Sequence, residues 1–261
     1  MSTATATLED RNAFCDEVVA IAERAGEEIL RHYGDSVVVN EKADHSPVTI
    51  ADERAEQLIV AALKELIPEV PIVAEELCAA GEIPEVSSRF VLVDPLDGTK
   101  EFISRNGEFT VNVALVEEGR PRLGVVHLPA TGVSYWTAGE GAFRREPGGR
   151  PEPIHCRSVA EGEPVVVVAS RSHRDAQTEE FIAGLNVKEI VSAGSSLKLC
   201  RVAEGIADVY PRFGRTMEWD IAAGDAVLRA AGGSVRTVGG DEFRYGKPGF
   251  ENPAFIARGA I

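Results

Sequence analysis

Apolar residues in the first part of the chain recur with the spacing of amphipathic helices. Between Phe14 and Ile29 they stand three or four positions apart, and the pattern ends near Gly34. The same spacing returns after Asp52 and continues to residue 66, with a proline shortly beyond. A carboxylate at this place is typical of a helix start, so the residues alone favour Asp52 as a plain N-cap.

Other apolar positions form short runs bounded by Gly, Pro and Asn, which is the pattern of β-strands. The run at residues 90–93 has the β-branching of a buried strand, and residues 70–74 form a similar run. We expect Pro95 to end the first of these strands, because it has no N–H group to donate to a ladder. Further strands, mostly antiparallel, are predicted at residues 37–39, 109–116, 123–128, 133–137 and 139–143.

Strand and helix patterns alternate in the second half of the chain, which favours α/β layering there. Residues 144–153 are rich in Gly, Pro and charge and are the best candidate for a domain boundary. We therefore predict an α+β domain with a large antiparallel sheet at residues 1–155 and an α/β domain at residues 156–261. The predicted elements of the second domain are strands at 165–169, 189–192, 207–210, 234–238 and 255–258, and helices at 175–185, 197–204 and 220–231.

Net charge, apolar runs and cysteine spacing exclude several classes of binding partner and location. The 261 residues carry a net charge of −15, which argues against binding to nucleic acid or to acidic membrane surfaces. No apolar run is long enough to span a bilayer, and the N-terminus lacks the pattern of a signal peptide. We expect a cytoplasmic protein, with peripheral membrane association and the oligomeric state left open. Four widely separated cysteines are expected to be reduced thiols: Cys15, Cys78, Cys156 and Cys200.

Candidate chemistry begins directly after the strand at residues 90–93. Asp94 ends the apolar run, and Asp97 follows within one turn. Gly98 allows a backbone conformation that other residues resist, and Thr99 can cap a short helix whose N–H groups face outward. Two carboxylates beside a helix N-terminus can hold cations and a phosphate together. The alternative for an isolated D-x-x-D is a strand followed by an Asx turn.

Two further carboxylates occupy comparable positions. Glu75 ends the strand at residues 70–74, and Asp220 begins a helix. Several carboxylates held together are costly unless divalent cations neutralise them. Oxygen-only ligation suits Mg²⁺ or Mn²⁺ rather than zinc, and a two-metal carboxylate site is a common arrangement for the hydrolysis of phosphate esters.

Three motifs carry a resemblance to a known family: Asp94-Pro95-Leu96-Asp97-Gly98-Thr99, Trp219-Asp220-Ile221-Ala222-Ala223-Gly224 and the pair Glu75-Glu76. They resemble the lithium-sensitive, magnesium-dependent phosphatases of the inositol monophosphatase and fructose-1,6-bisphosphatase superfamily. The resemblance covers nearly the whole chain and implies an α/β fold, the layered αβαβα sandwich of that superfamily. Within it, the chain is most similar to the CysQ-type 3′(2′),5′-bisphosphate nucleotidases, through residues 46–52, 100–103, 106–112, 170–173, 194–198 and 210–214.

The resemblance implies a role for each matching residue around the metals. Asp52 and Thr99 would form a catalytic dyad whose hydroxyl orients the attacking, metal-activated water. This role overturns the N-cap interpretation of Asp52 unless the residue serves in both roles. Glu75 would take part in catalysis, and Glu76 would stand behind the metal ligands. The implied metal ligands are Glu75, Asp94, Asp97, Asp220 and the carbonyl of Leu96.

The resemblance also implies which residues hold the substrate. His173 and Lys198 would bind the adenosine phosphate, although the residues alone allow a helix cap for His173 and a solvated position for Lys198. Arg212 is more informative, because inositol phosphatases carry an acidic residue there and a guanidinium suits a second phosphate. The other implied substrate contacts are Asp97, Gly98, Thr99, Lys100, Ser195, Ser196 and Asp220.

The sequence therefore predicts a phosphomonoesterase that hydrolyses adenosine 3′,5′-bisphosphate to AMP and phosphate. By the resemblance, two or three Mg²⁺ ions would act in each site, Mn²⁺ would substitute for them, and Li⁺ would inhibit. PAPS, the sulfated analogue, is expected as a second substrate. The alternatives are a phosphatase for inositol monophosphate or another sugar phosphate, and a non-catalytic protein that senses nucleotide or Mg²⁺. Asp52 and Thr99 together argue against the last, and Glu218 is given no role.

Overall fold

Two β-sheets and the helices that cover them form the structure, a computed structural model that describes residues 8–34, 39–41, 47–170 and 175–260. The larger sheet has seven strands in the order β3-β4-β5-β6-β7-β8-β9. β3 and β4 are parallel, and every later neighbour pair in this sheet is antiparallel. Its strands are β3 (Ile72–Ala74), β4 (Arg89–Asp97), β5 (Thr110–Glu117), β6 (Arg120–Leu128), β7 (Val133–Ala138), β8 (Gly141–Arg145) and β9 (Glu152–Ile154).

The smaller sheet has five strands in the order β11-β10-β12-β14-β13. β10 is parallel to both of its neighbours, whereas β14 is antiparallel to β12 and β13. A separate hairpin pairs β1 (Val39–Glu41) with β2 (Pro47–Thr49). The strands of the smaller sheet are β10 (Val165–Ala169), β11 (Val187–Ser192), β12 (Val209–Arg212), β13 (Ser234–Thr237) and β14 (Phe255–Arg258).

Side chains alternate between the two faces of each strand, so both faces of the larger sheet can pack against helices. Phe90 and Leu92 face one side of β4, while Val91 and Val93 face the other, and all four are buried. The first side packs against α6 and α7, which lie between the sheets, and the second packs against α1 and α2. Helix α5 covers the outer face of the smaller sheet. The αβαβα sandwich is thus confirmed, with α1 (Leu8–Arg31), α2 (Ile50–Leu66), α3 (Glu75–Ala79), α4 (Thr99–Ile103), α5 (Ala176–Ala183), α6 (Leu197–Ala203) and α7 (Glu218–Ala230).

Helix α7 lies unusually close to the larger sheet at Gly124 of β6. A Cβ atom at this position would overlap the carbonyl oxygen of Ala223 and lie 2.7 Å from the Cβ of Ala226. Only glycine therefore lets the helix rest directly on the strand. Within the described residues, no helix has both the length and the apolar character needed to cross a membrane.

One expectation about the chain path is wrong. Pro95 does not end a strand, because β4 continues to Asp97 through a bulge. Between the pairs Asp94–Asn112 and Asp97–Thr110, β4 has two residues and β5 has one. Because of this extra residue, Pro95 does not have to donate a hydrogen bond to β5, which a proline cannot do.

Residues 144–153, where the domain boundary was expected, belong to the larger sheet. They form the end of β8, a turn and most of β9, which pair as a hairpin at the edge of the larger sheet. One hydrophobic cluster joins residues of both sheets through α6 and α7. The division at residue 155 stays a prediction; it falls between β9, the last strand of one sheet, and β10, the first of the other. Of the strand expected at 37–39, only Val39 lies in the described residues, in β1.

Candidate active site

Neighbouring strands bring the first two carboxylates together. The parallel register pairs Ala74 of β3 with Val93 of β4, so Glu75 and Asp94 leave adjacent strands at the same edge of the sheet. Asp220, in the first turn of α7, approaches from the layer between the sheets. Carboxylate oxygens of Glu75, Asp94 and Asp220 lie within 4.8 Å of one another. Residues distant in sequence thus form one acidic cluster.

The bulge in β4 adds Asp97 to this cluster. Asp97 Oδ2 accepts hydrogen bonds from the N–H of Ser196 at 2.6 Å and from Asn112 Nδ2 at 3.4 Å. Within the turn, the N–H of Leu96 donates to Asp94 Oδ1 at 3.1 Å. The Leu96 carbonyl as a metal ligand stays a prediction. Hydrogen bonds on both sides of the bulge therefore fix the direction of these two aspartates.

The electrostatics of the cluster favour bound cations. Burial, followed by repulsion from Glu75 and the other carboxylates, raises the pKa of Asp94 well above its ordinary value, and burial and the same neighbours raise the pKa of Asp220. Burial raises the pKa of Asp97 to about 6, although the ammonium of Lys198 offsets part of this effect. These carboxyl groups ionise fully only when a positive charge is close to them, and all their ligand atoms are oxygens. Both properties fit Mg²⁺.

The Asp52–Thr99 contact stands beside the cluster. Thr99 Oγ1 donates to Asp52 Oδ1 at 3.1 Å. Asp52 is not the N-cap of α2: the cap is Thr49, whose Oγ1 accepts from the N–H of Ala51, and Asp52 is the third helical residue. Thr99 is likewise not a cap, because Gly98 takes that place with φ of 92° and Thr99 is the first residue of α4. The geometry therefore agrees with a dyad, while both capping expectations are wrong.

Ser195 and Ser196 connect the two sheets through main-chain contacts. Ser195 Oγ contacts two carbonyls, those of Asp97 at 2.8 Å and Glu108 at 2.7 Å, and Ser196 Oγ donates to the carbonyl of Asp220 at 2.5 Å. The two hydroxyls thus hold the backbone of two predicted metal ligands. Their predicted contact with substrate stays a prediction.

Lys198 is buried beside the cluster, with 6% of its surface exposed, so the solvated position is wrong. Its Nζ donates to the carbonyl of Ser195 at 2.8 Å and lies 5.4 Å from the ring centre of Tyr210. Burial lowers the pKa of Lys198 to about 8, against the attraction of Asp97. The site therefore contains a buried cation opposite its carboxylates.

Arg212 completes the cationic side. Its Nη2 donates to the carbonyl of Arg215 at 3.1 Å, and its side chain lines the same cleft as Lys198. His173 lies outside the described residues, so its assignment stays a prediction. The cleft has a volume of about 270 Å³, and it brings together most of the predicted residues: Glu75, Asp97, Gly98, Thr99, Lys100, Ser195, Ser196, Lys198, Arg212 and Asp220.

Sequence reasoning missed several residues that line the cleft and one buried carboxylate, Glu218, that does not line it. Glu101 and Tyr210 line the cleft. Glu218 is fully buried; its carboxylate accepts from the N–H groups of Gly246 at 2.7 Å and Lys247 at 2.9 Å and pairs with the Lys247 ammonium at 2.7 Å. The place of Glu218 directly before the Trp219-Asp220 motif was the available signal, but its partners lie in a distant loop.

Comparisons with known proteins agree with this geometry. The family model described as "Inositol monophosphatase family" matches residues 11–258. A relative from Escherichia coli (strain K12), named 3′(2′),5′-bisphosphate nucleotidase CysQ, is 46% identical over 243 residues, which cover 92% of this chain and 97% of the relative. Another relative of the same name, from Buchnera aphidicola, is 39% identical and covers 93% and 92% of the two chains.

Solved structures of the same family share the fold of this chain. The crystal structure of CysQ from Bacteroides thetaiotaomicron, described as a bacterial member of the inositol monophosphatase family, is 39% identical with a TM-score of 0.80, over 96% of this chain and 98% of that one. An IMPase from Thermotoga maritima is 29% identical with a TM-score of 0.79, over 94% and 92% of the two chains. Both the sequence and the fold assign this chain to the inositol monophosphatase family.

Proposed function

We propose that this protein is a Mg²⁺-dependent 3′(2′),5′-bisphosphate nucleotidase that hydrolyses adenosine 3′,5′-bisphosphate to AMP and phosphate. One observation carries the proposal: a cleft holds a buried carboxylate cluster on one side and two cations, Lys198 and Arg212, on the other. The carboxylates suit metal and a reacting phosphate, and the cations suit a second phosphate on the same substrate. Relatives with the corresponding name, which match over nearly their whole length, support the substrate class.

The proposed metal ligands are Glu75, Asp94, Asp97, Asp220 and the Leu96 carbonyl, and a bound Mg²⁺ would stabilise negative charge on the phosphate and activate water. Asp52 has a different task. It accepts the hydrogen bond that the Thr99 hydroxyl donates, which leaves the oxygen of Thr99 able to accept a hydrogen bond from a water molecule in the cleft and to orient it.

Main-chain groups near Thr99 provide a second means of holding the phosphate. The first N–H groups of a helix have no partner within the helix, and Gly98, Thr99 and Lys100 line the cleft where α4 begins. We assign to these N–H groups the stabilisation of charge on the scissile phosphate. Gly98, with its left-handed backbone, makes the turn that directs the start of the helix to the cleft.

The remaining parts of the proposal concern substrate range and location. PAPS has the same 3′-phosphate and carries a phosphosulfate in place of the 5′-phosphate, and it is the proposed second substrate. His173, Ser195 and Ser196 stay proposed contacts to the nucleotide. Cytoplasmic localisation, Mn²⁺ substitution and Li⁺ inhibition are part of the same proposal, and the four cysteines, all unpaired in the structure, agree with a reducing compartment.

A phosphatase for inositol monophosphate is the second candidate, because an IMPase shares the fold at 29% identity. Such a substrate carries one phosphate and several hydroxyl groups. It has no partner for the guanidinium of Arg212, which therefore favours the bisphosphate.

The test measures phosphate release with Mg²⁺ from adenosine 3′,5′-bisphosphate, PAPS, inositol monophosphate and fructose 1,6-bisphosphate, each with and without Li⁺. We expect fastest release from the adenosine bisphosphate and inhibition by millimolar Li⁺. The Asp94→Asn variant should be inactive, because it loses a proposed metal ligand. Preference for inositol monophosphate would reject the substrate while keeping the metal chemistry, and full activity of Asp94→Asn would reject the metal assignment.

A further inference from the structure

A second carboxylate of α2 lies close to the site without lining the cleft. Glu56 follows Asp52 by one helical turn, so the two side chains project from the same face of α2. Both are buried: Asp52 is 1% exposed and Glu56 is 4% exposed. Asp52 faces Thr99, and Glu56 faces the start of α3. A carboxylate is seldom buried without specific hydrogen-bond partners, so burial of Glu56 implies such partners nearby.

Glu56 uses both carboxylate oxygens on consecutive main-chain groups. Its Oε2 accepts from the N–H of Glu76 at 2.7 Å, and its Oε1 accepts from the N–H of Leu77 at 2.9 Å. These N–H groups belong to the first turn of α3, where the side chain of the preceding residue normally serves as the cap. Here that residue is Ala74, which has no side-chain cap. Glu56 therefore caps α3 from another helix.

This cap fixes the backbone around a predicted metal ligand. Glu75 is the first residue of α3 and stands between two restrained positions. On one side, Ala74 is paired with Val93 in the parallel ladder, and on the other, the next two N–H groups are held by Glu56. A helix of five residues has little stability of its own, so an external cap on its next two N–H groups restrains the main chain from which the Glu75 side chain projects.

We propose that Glu56 is a positioning residue of the metal site, which acts by holding the main chain of α3 so that Glu75 points to Asp94 and Asp220. The inference rests on the proposed metal-binding role of Glu75, but it concerns a residue that contacts neither metal nor substrate. Partners that orient metal ligands typically change metal affinity by about 10- to 100-fold when they are replaced. Helix α2 thus organises both Thr99 and Glu75, through two carboxylates one turn apart.

The first test compares Mg²⁺ binding by calorimetry in the full-length, metal-free wild type, Glu56→Gln and Glu65→Gln. An amide at position 56 can accept only one of the two N–H groups and turns its own NH₂ group towards the other. We expect the Mg²⁺ dissociation constant of Glu56→Gln to rise at least about tenfold. Glu65 is an exposed glutamate of the same helix, so Glu65→Gln makes the same chemical change and should bind Mg²⁺ like the wild type.

The outcomes separate this inference from the proposed function. Equal Mg²⁺ affinity of Glu56→Gln and the wild type, with a lower melting temperature, would show that Glu56 only stabilises the fold and would overturn the inference. Absence of Mg²⁺ binding to the wild type would overturn the metal assignment, and with it the inference.

A second measurement needs no variant and so remains decisive if Glu56→Gln does not fold. Amide hydrogen exchange of the wild type is followed with and without Mg²⁺ at Glu76 and Leu77. If capping and metal binding are coupled, Mg²⁺ must slow exchange at both amides by opposing the opening of α3. The control is the N–H of Thr178, which Asp175 caps at 2.8 Å in α5. An effect at Glu76 and Leu77 no larger than that at Thr178 would overturn the inference.

Discussion

The Thr99 hydroxyl donates to Asp52 at 3.1 Å, and the other oxygen of this carboxylate is held by Thr49. The N–H group and the hydroxyl of Thr49 donate to Asp52 Oδ2 at 2.8 Å and 2.7 Å. Asp52 is therefore fixed by its own helix before it meets Thr99, and the hydroxyl proton of Thr99 has a defined direction. A hydroxyl whose proton is directed away from the cleft can only accept a hydrogen bond there.

Removal of this hydroxyl should affect turnover rather than metal binding. We predict that Thr99→Val lowers kcat by about 100-fold or more, because water in the cleft loses the group that orients it. Thr99→Ser keeps the hydroxyl and should retain most of the activity. The measurement is steady-state phosphate release together with Mg²⁺ calorimetry of both variants. Near-normal kcat of Thr99→Val would show that the contact with Asp52 is only structural.

A methyl group at Gly98 should disturb the site by contact as well as by backbone strain. Gly98 has φ of 92°, and an added Cβ would overlap Ser195 Oγ. Gly232 has φ of 94° with no atom within 4 Å of an added Cβ, so Gly232→Ala measures strain alone. We predict that Gly98→Ala is less stable than Gly232→Ala by about 1–3 kcal/mol in urea denaturation and loses activity.

A double variant isolates the contact between Gly98 and Ser195. Replacing Ser195 with alanine removes the overlapped oxygen, so Gly98→Ala should destabilise the Ser195→Ala background less than the wild type. Equal destabilisation in both backgrounds would contradict the steric explanation.

Substrate preference should depend on the charge at position 212. We predict that Arg212→Glu lowers kcat/KM for adenosine 3′,5′-bisphosphate by about 10- to 150-fold, the range expected when a charged hydrogen bond is lost. The effect on inositol monophosphate should be smaller, since that substrate has no second phosphate. Arg215→Glu makes the same charge change at an exposed arginine that pairs with Glu251, and it should alter neither rate substantially. Equal losses for both substrates would reject the proposed role of Arg212.

Acid should destabilise the protein partly through a histidine far from the cleft. Burial lowers the pKa of His127 from 6.5 to about 4, although the nearby Glu23 opposes this effect. Because the unfolded state binds a proton near pH 6.5 and the folded state does not, the stability that neutral His127 provides above pH 6.5 is lost progressively as the pH falls towards 4. The loss amounts to about 2 kcal/mol between pH 7.5 and pH 5.

The comparison for this prediction is His127→Asn, which has no group that titrates in this range. Urea denaturation of both proteins at pH 7.5 and pH 5 should show a larger fall in unfolding free energy for the wild type. His127 Nδ1 lies 2.9 Å from Ser134 Oγ, with the donor set by the imidazole tautomer, and asparagine preserves a polar atom near that position. The same pH dependence in both proteins would mean that other groups control acid unfolding.

Local apolar patterns in the sequence predicted most of the helices and strands, and they pointed to the carboxylates that lie next to strands. Strand β10 occurs at the predicted residues, and Glu75 after β3 meets Asp94 of β4 as expected, because each carboxylate directly follows an apolar run in the sequence. Pro95 misled the prediction because a bulge in an antiparallel pair is a property of two strands, and only one of them contains the proline.

Long-range contacts explain what sequence reasoning missed. Glu56, Lys198 and Glu218 all have charged side chains at helical positions, where solvent exposure is the ordinary expectation. Their burial depends on partners that lie 20 or more residues away for Glu56 and 28 or more for Glu218. For Lys198, it depends on Tyr210 of a neighbouring strand, whose ring faces the ammonium. Periodicity carries no information about such partners.

The contact between Gly124 and α7 makes the carboxylate cluster depend on the distance between the larger sheet and this helix. Asp220 reaches Glu75 and Asp94 only from a helix that sits at one height above the sheet, and that height is set where β6 has no side chain. A single methyl group added at Gly124 would act as a spacer between two layers and lift one carboxylate away from the others. Substitutions that inactivate this protein should therefore also occur at Gly124, a buried glycine that contacts no substrate but sets the distance between β6 and α7.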